Sequence, residues 1–149
     1  MIDVRLTGEA LDLAEAAARL GDDPDTGAIA TFLGLCRGET GRLSALELEH
    51  YPGMAEAEIT RIAESAMSRW PVRGIVAIHR FGIVKVGEPI VFVAARSSHR
   101  DAAFDAVRYV MDFLKTEAPF WKREHLVDGT VGPWVDATDA DERAKARWA

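Results

Sequence analysis

The stretch GIVAIHRFGIVKVGEPIVFVAARSSHRDAAFDAVRYVMDFLKTE, residues 74–117, decides the fold class. It opens with two apolar runs, GIVAIHRFG and EPIVFVAARS, on either side of a turn at Val86-Gly87-Glu88, and this predicts two strands. Pro89 is expected to open its strand, where a missing N–H costs no ladder bond. After Ser98 the period changes. Phe104, Val107, Met111 and Leu114 recur at helical spacing up to Pro119, which predicts a helix over about 99–117, with Ser98 and Asp101 resembling a capping box.

Upstream, Ala10, Leu13, Ala14, Ala17 and Leu20 predict a short amphipathic helix over residues 9–20, stopped by Gly21 and Pro24. GAIATFLGLC, residues 27–36, reads as a buried strand. Past the loop RGETGR, Leu46, Leu48 and His50 alternate with Glu47, Glu49 and Tyr51 as a half-exposed strand, and the two strands are candidates for a hairpin. HYPGM turns the chain into a second helix with Ala55, Ile59, Ile62, Ala63, Ala66 and Trp70 on one face, ended by Pro71. Downstream, FWKREHLV and PWVDA flank a DGTVG turn as a last hairpin, and Thr138 and Asp141 cap a terminal helix. Strands and helices interleave without repeat or linker, so the expectation is one domain over residues 1–149, α/β or α+β, with a mixed or antiparallel sheet.

The chain has 149 residues, 48% of them hydrophobic, a net charge of -6 and one cysteine, Cys36. A chain of this size folds without disulfides or structural metal, and a lone cysteine fits a reducing compartment, so the cytoplasm is the expected location. The first residues show no basic region followed by an apolar core and no span of ~18 apolar residues occurs, so neither a targeting segment nor a membrane partner is expected. The acidic balance disfavours nucleic acid. It hides a gradient, however. Residues 1–34 carry seven acidic and two basic side chains, whereas Arg96 to Arg123 carry six basic and four acidic ones, so an anionic ligand belongs in the second half.

No ligand spacing supports zinc, and no phosphate loop, GxGxxG or nucleophile elbow occurs, so neither metal nor cofactor is expected. What remains is a set of cations. His99 and Arg100 fall in the first turn of a helix, where free N–H groups favour an anion; the alternative is a solvated pair with Asp101 and Asp105. Lys122 lies between Trp121 and Arg123, where apolar walls can lower an ammonium pKa and fit it for proton transfer; otherwise it guards a strand edge. Lys115 has an ordinary reading as the charge at a helix C-terminus. Arg37 projects from a strand end at a Gly-rich loop, and Cys36 beside it reads as a small buried residue rather than a nucleophile. In a straight helix His99 and Lys115 stand ~24 Å apart, so they serve either two sites or one site shared across a symmetric dimer.

LELEHYPGMAEAEI, the Trp-Pro pair at 70 and 71, IHRFG, VGEPIVFV, SSHRDAAF and above all YVMDFLKTEAPFWKRE closely resemble the large, catalytic subunit of molybdopterin synthase. The resemblance runs from about Gly27 to the terminal ARW. It implies a hammerhead-type mixed α/β fold with an added antiparallel subdomain. It also implies sulfur transfer to cyclic pyranopterin monophosphate from the C-terminal Gly-Gly thiocarboxylate of a small ubiquitin-like partner, in a heterotetramer built on a homodimer. It assigns the key lysines to Lys115 and Lys122, substrate contacts to Leu35, Cys36, Arg37, His99, Arg100, Lys122, Arg123 and Glu124, and pocket walls to Phe32 and Met111. Two other readings stand beside it: a non-catalytic module binding a phosphate ester or a ubiquitin-like partner, and a rhodanese-like enzyme using Cys36 as persulfide carrier.

Overall fold

The computed structural model describes residues 1–135 and 139–149. In chain order the elements are β1 (Ile2–Thr7), α1 (Leu13–Ala18), β2 (Ala28–Leu35), β3 (Leu43–His50), α2 (Met54–Arg69), β4 (Val72–Arg80), β5 (Gly82–Lys85), β6 (Pro89–Ser97), α3 (Arg100–Glu117), β7 (Phe120–Leu126) and α4 (Asp139–Ala146). They form a mixed α+β fold with two sheets. The first has strand order β1-β4-β6-β2, with β1 parallel to β4 and the other pairs antiparallel; the second, β5-β3-β7, is antiparallel throughout.

The apolar runs of β4 and β6 are continuous because both strands are covered on both faces. Ile75, Ala77, Val91, Val93 and Ala95 join Ile59, Ile62, Ala106 and Val110 of α2 and α3 in the main core. Val76, Ile78, Phe92 and Ala94 point the other way, against Ala16 and Leu20. Each such aliphatic side chain contributes roughly 1.5–3 kcal/mol on burial. Trp148 closes the far end of the core, edge-on to both Trp70 and Tyr109 at 5.3 and 5.5 Å between ring centroids.

The structure corrects several expectations. GIVAIHRFG is not one strand running to the turn, because Gly82 (φ +81°) breaks it and the chain leaves the first sheet to become β5 of the second. The turn at 86–88 therefore carries the chain from one sheet to the other, and Pro89 does open β6. β2 and β3 form no hairpin: the loop between them, with Glu39 and Thr40 in left-handed conformation, delivers them to different sheets. Nor is β2 buried. It is the edge strand, with Ile29 57% and Leu35 51% exposed.

α1 begins only at Leu13, after an Asp12 side chain that accepts from the Glu15 N–H at 3.1 Å; of the expected face only Leu20, just past the helix, is buried, and within the helix Ala16 is buried instead of Leu13, Ala14 and Ala17. Residues 2–7, which raised no expectation, pair with β4 because Ile2, Val4 and Leu6 alternate toward the core. The predicted cap on α3 is absent. His99 takes the N-cap position without a side-chain bond, and Ser98 Oγ instead donates to the Asp25 carbonyl at 3.1 Å. Phe104, expected on the apolar face of α3, is 63% exposed. The last hairpin is reduced to two bridges, Lys122 with Val135 and His125 with Val131. Thr138, Asp136 and Ala137 lie outside the described residues. No helix among those described is long and apolar enough to cross a membrane.

Candidate functional site

The second sheet positions the site. Side chains alternate along β7, so Lys122 and Glu124 face the interior side, while Arg123 and His125 face outward toward Glu47 on the paired strand β3. Arg123 Nε lies 2.9 Å and His125 Nε2 2.8 Å from the same Glu47 oxygen, and the Arg123 guanidinium sits 4.4 Å from the centroid of Trp134. Arg123 first and His125 second hold the Glu47 carboxyl below its usual range. The clamp expected from the Arg123 side chain is thus turned away from the lysines, because neighbours on a strand point to opposite faces.

Lys115, in the last turn of α3, meets Lys122 across an open cleft of ≈740 Å³ that also takes in Phe32, Leu35, Arg37 and Glu124. Behind it the same two lysines border a smaller cavity of ≈50 Å³ with His79, Phe120 and Leu48. Solvent still reaches Lys115 at the cleft mouth, yet the protein packed around its ammonium holds it below the ordinary lysine value. The like charge of Lys122 adds to this, and Asp141 opposes it. In the sequence Lys115 reads as an ordinary helix-end charge; its lowered ammonium is a product of the fold, which sets the second sheet against the end of α3.

The remaining residues fall in three places. Arg37 projects from the loop after β2, its side chain 85% exposed and 4.0 Å from Glu39. Glu124 is tied to Arg42 at 2.8 Å. Cys36 is only 2% exposed; burial first, then the carboxylates of Glu88 and Glu39, pushes its thiol up, away from the thiolate a persulfide carrier needs. Its backbone is also engaged, the N–H donating to Glu88 O at 3.0 Å and the C=O accepting from Gly87 N–H at 2.8 Å. Cys36→Ala is expected to keep turnover within about twofold of wild type, and a loss beyond about tenfold would return the thiol to the chemistry.

His99 and Arg100 occupy a different cleft, of ≈460 Å³, with Gly27, Ala28 and Ser98. α3 runs unbroken from Arg100 to Glu117, so one chain leaves His99 and Lys115 ~24 Å apart. Met111 lines neither of these clefts. With Phe32, Phe104 and Arg108 it borders a third, and Phe32 is shared between that one and the lysine cleft. Gly27 fixes the His99 end: a Cβ there would stand 2.2 Å from the Ser98 carbonyl oxygen. Gly27→Ala must therefore push β2 off Ser98, and it is expected to lower Tm by about 5 °C or more in a thermal melt.

One residue of this region gave no signal in the sequence. His79, next to last in the apolar strand β4, is buried and stacked on Phe120 with centroids 4.0 Å apart. Burial pushes its pKa down to about 4, so between pH 6.5 and 4 the unfolded chain binds a proton that the native state refuses. Stability is then lost as pH falls through that window, by about 3 kcal/mol. In urea unfolding at pH 7 and pH 4.5, His79→Gln, which does not titrate, is expected to lose about 2–3 kcal/mol less than wild type over the interval; equal losses assign the acid sensitivity elsewhere. Among the described residues, no group of three or more His, Cys, Asp or Glu side chains is placed to hold a metal ion.

The family model described as "MoaE protein" matches residues 6–117. The chain belongs to the MoaE family. It is 55% identical to the molybdopterin synthase catalytic subunit of Rhizobium meliloti (strain 1021) over 148 residues, which is 99% of this chain and 96% of that one. The likeness to MoaE relatives therefore reaches into the first 26 residues, beyond the expected start near Gly27. The solved MoaE protein from Burkholderia ambifaria MC40-6 superposes with a TM-score of 0.85 at 44% identity, covering 99% of this chain and 98% of that one. A molybdopterin-converting factor complex from Helicobacter pylori 26695, with a TM-score of 0.70 at 19% identity over 93% of this chain and 90% of that one, shares the fold.

Proposed function

We propose that this chain is the catalytic subunit of a molybdopterin synthase. It moves sulfur from the C-terminal thiocarboxylate of a small ubiquitin-like partner onto cyclic pyranopterin monophosphate and so forms the dithiolene of molybdopterin. The observation that carries this reading is the pair Lys115 and Lys122, brought from α3 and β7 to one cleft, with the Lys115 ammonium depressed by burial. Each transfer exchanges the tail's sulfur for oxygen and leaves a carboxylate. Negative charge develops on oxygen and protons must move, which is work for one ammonium that stabilises charge and another near enough to give or take a proton.

The cleft beside β2 suits an extended tail ending in Gly-Gly, because a segment without side chains can lie close against the backbone between Leu35 and the lysines. The phosphate of the pterin needs cations beyond those at the cleft, and His99 with Arg100 are too far away in the same chain. We therefore assign them to the neighbouring site of a homodimer, in which the His99 end of one protomer completes the lysine end of its partner. With one small subunit on each protomer the assembly is a heterotetramer.

The test is reconstitution. Purified protein, the thiocarboxylated small partner and the pterin precursor are expected to yield the dithiolene, read as the fluorescent oxidised derivative or by mass spectrometry. Tight binding of both ligands with no product would instead support the non-catalytic binding module.

A further inference from the structure

His79 borders the same inner cavity as the two lysines and has no part in the chemistry above. Its Nδ1 lies 2.7 Å from the carbonyl oxygen of Arg80. A carbonyl oxygen only accepts, so Nδ1 carries the ring's hydrogen and Nε2 keeps its lone pair. Stacking on Phe120, with planes 19° from parallel, fixes the ring orientation. Two cations share this cavity, and no carboxylate is among its described lining residues; the side-chain acceptor there is the imidazole. At ≈50 Å³ the cavity also has room for a bridging water.

We propose that His79 is a positioning residue for the paired lysines: through Nε2 it accepts a hydrogen bond from the Lys115 or Lys122 ammonium, directly or through one water, and aims that ammonium at the cleft. The proposal rests on the functional reading above. The titratable and charged groups around the ring are Lys115 from α3, Lys122 from β7 and His50 from β3, with Asp141 of α4 acting on Lys115. Burial keeps the imidazole neutral at physiological pH, as the role requires, since a protonated ring would repel both ammonium groups and donate where it must accept.

The test compares His79→Phe, which keeps the stacking surface but has no acceptor, with His79→Gln, whose amide oxygen reaches the Nε2 position. In the reconstituted sulfur transfer, His79→Phe is expected to lower kcat about ten- to a hundredfold, with KM for the pterin precursor within about twofold. It also moves to lower pH the limb of the pH–rate profile that reports the lysines, because an acceptor stabilises the charged ammonium. His79→Gln recovers to within about threefold of wild type. A wild-type kcat in His79→Phe, or a loss in both variants that follows their thermal stability with no shift in the pH profile, overturns the proposal. A second measurement needs no His79 variant and no turnover: the ¹⁵N shift of His79 Nε2 in the intact protein, expected to report an unprotonated, hydrogen-bonded nitrogen and to move in Lys115→Met or Lys122→Met. An Nε2 shift indifferent to both substitutions overturns the contact, even if sulfur transfer succeeds. Absence of product from wild-type protein, with the shift change present, rejects the functional reading and leaves the contact standing.

Discussion

Lys115→Ala is expected to lower dithiolene formation by about 10²–10⁴-fold in single-turnover reconstitution, while the small partner still binds within about threefold of wild type. The expected loss is electrostatic in origin. Lys115 ends α3 where β7 and the inner cavity close around its ammonium, and burial together with Lys122 lowers its pKa. Charge developing on oxygen there would meet the paired ammonium groups of Lys115 and Lys122, and a depressed pKa brings the Lys115 proton closer to transfer near neutral pH. Truncation removes that charge but leaves Leu35, Phe32 and Arg37 to receive a partner's tail. Lys115→Arg restores the charge without the proton lability, so it is expected to bind the partner as wild type does and to recover little of the rate. Product formation in Lys115→Ala at the wild-type rate would remove the lysine from the chemistry.

Arg100→Ala and Lys122→Ala are each expected to lose about 10²-fold or more alone, yet recover about a quarter of wild-type activity when co-refolded or co-expressed in equal amounts. The number follows from symmetry. About half of randomly mixed dimers carry one chain of each kind, and in those one of the two shared sites draws its Arg100 and its Lys122 from unmutated chains. The physical basis is the length of α3, whose unbroken course holds Arg100 at one end and Lys115, which shares its cleft with Lys122 of β7, at the other. No recovery beyond the sum of the separate variants would show that each site is built within one chain, and sedimentation of the protein as a monomer at working concentration would exclude sharing altogether.

The legibility of this protein in its sequence differs from element to element. α2, α3 and β6 were plain because their patterns are long and each is bounded by proline: the residues of α2 expected inside, from Ala55 to Ala66, are inside, and Pro89 starts its strand. The doubly covered β4 was misread at its end, since a buried apolar run carries no alternation to mark where one sheet stops, and Gly82 looks like any turn glycine until its φ is known. β2 was misread for the opposite reason. Its apolar side chains suggest burial, yet it is the sheet edge, exposed on one face in the single chain. α1 followed its tertiary neighbours Val76 and Phe92 rather than its own weak period.

The sequence by itself determined the class of fold, the order of its main helices and strands, the family, and the cationic side chains that converge on the cleft. These are local or compositional properties: period, proline and glycine stops, and long blocks of identity that need no three-dimensional context. Only the tertiary structure decided that the Lys115 ammonium is held below its ordinary value, that Arg123 turns to Glu47 rather than to the lysines, that Met111 lines a cleft apart from theirs, and that His79 borders a cavity with Lys115 and Lys122. Burial, strand facing and distance are properties of which elements pack together. In this chain Glu47 and Arg123 meet only because β3 and β7 pair in the second sheet, and His79 of the first sheet comes to border one cavity with Lys115 only because α3 ends beside β4 and β7.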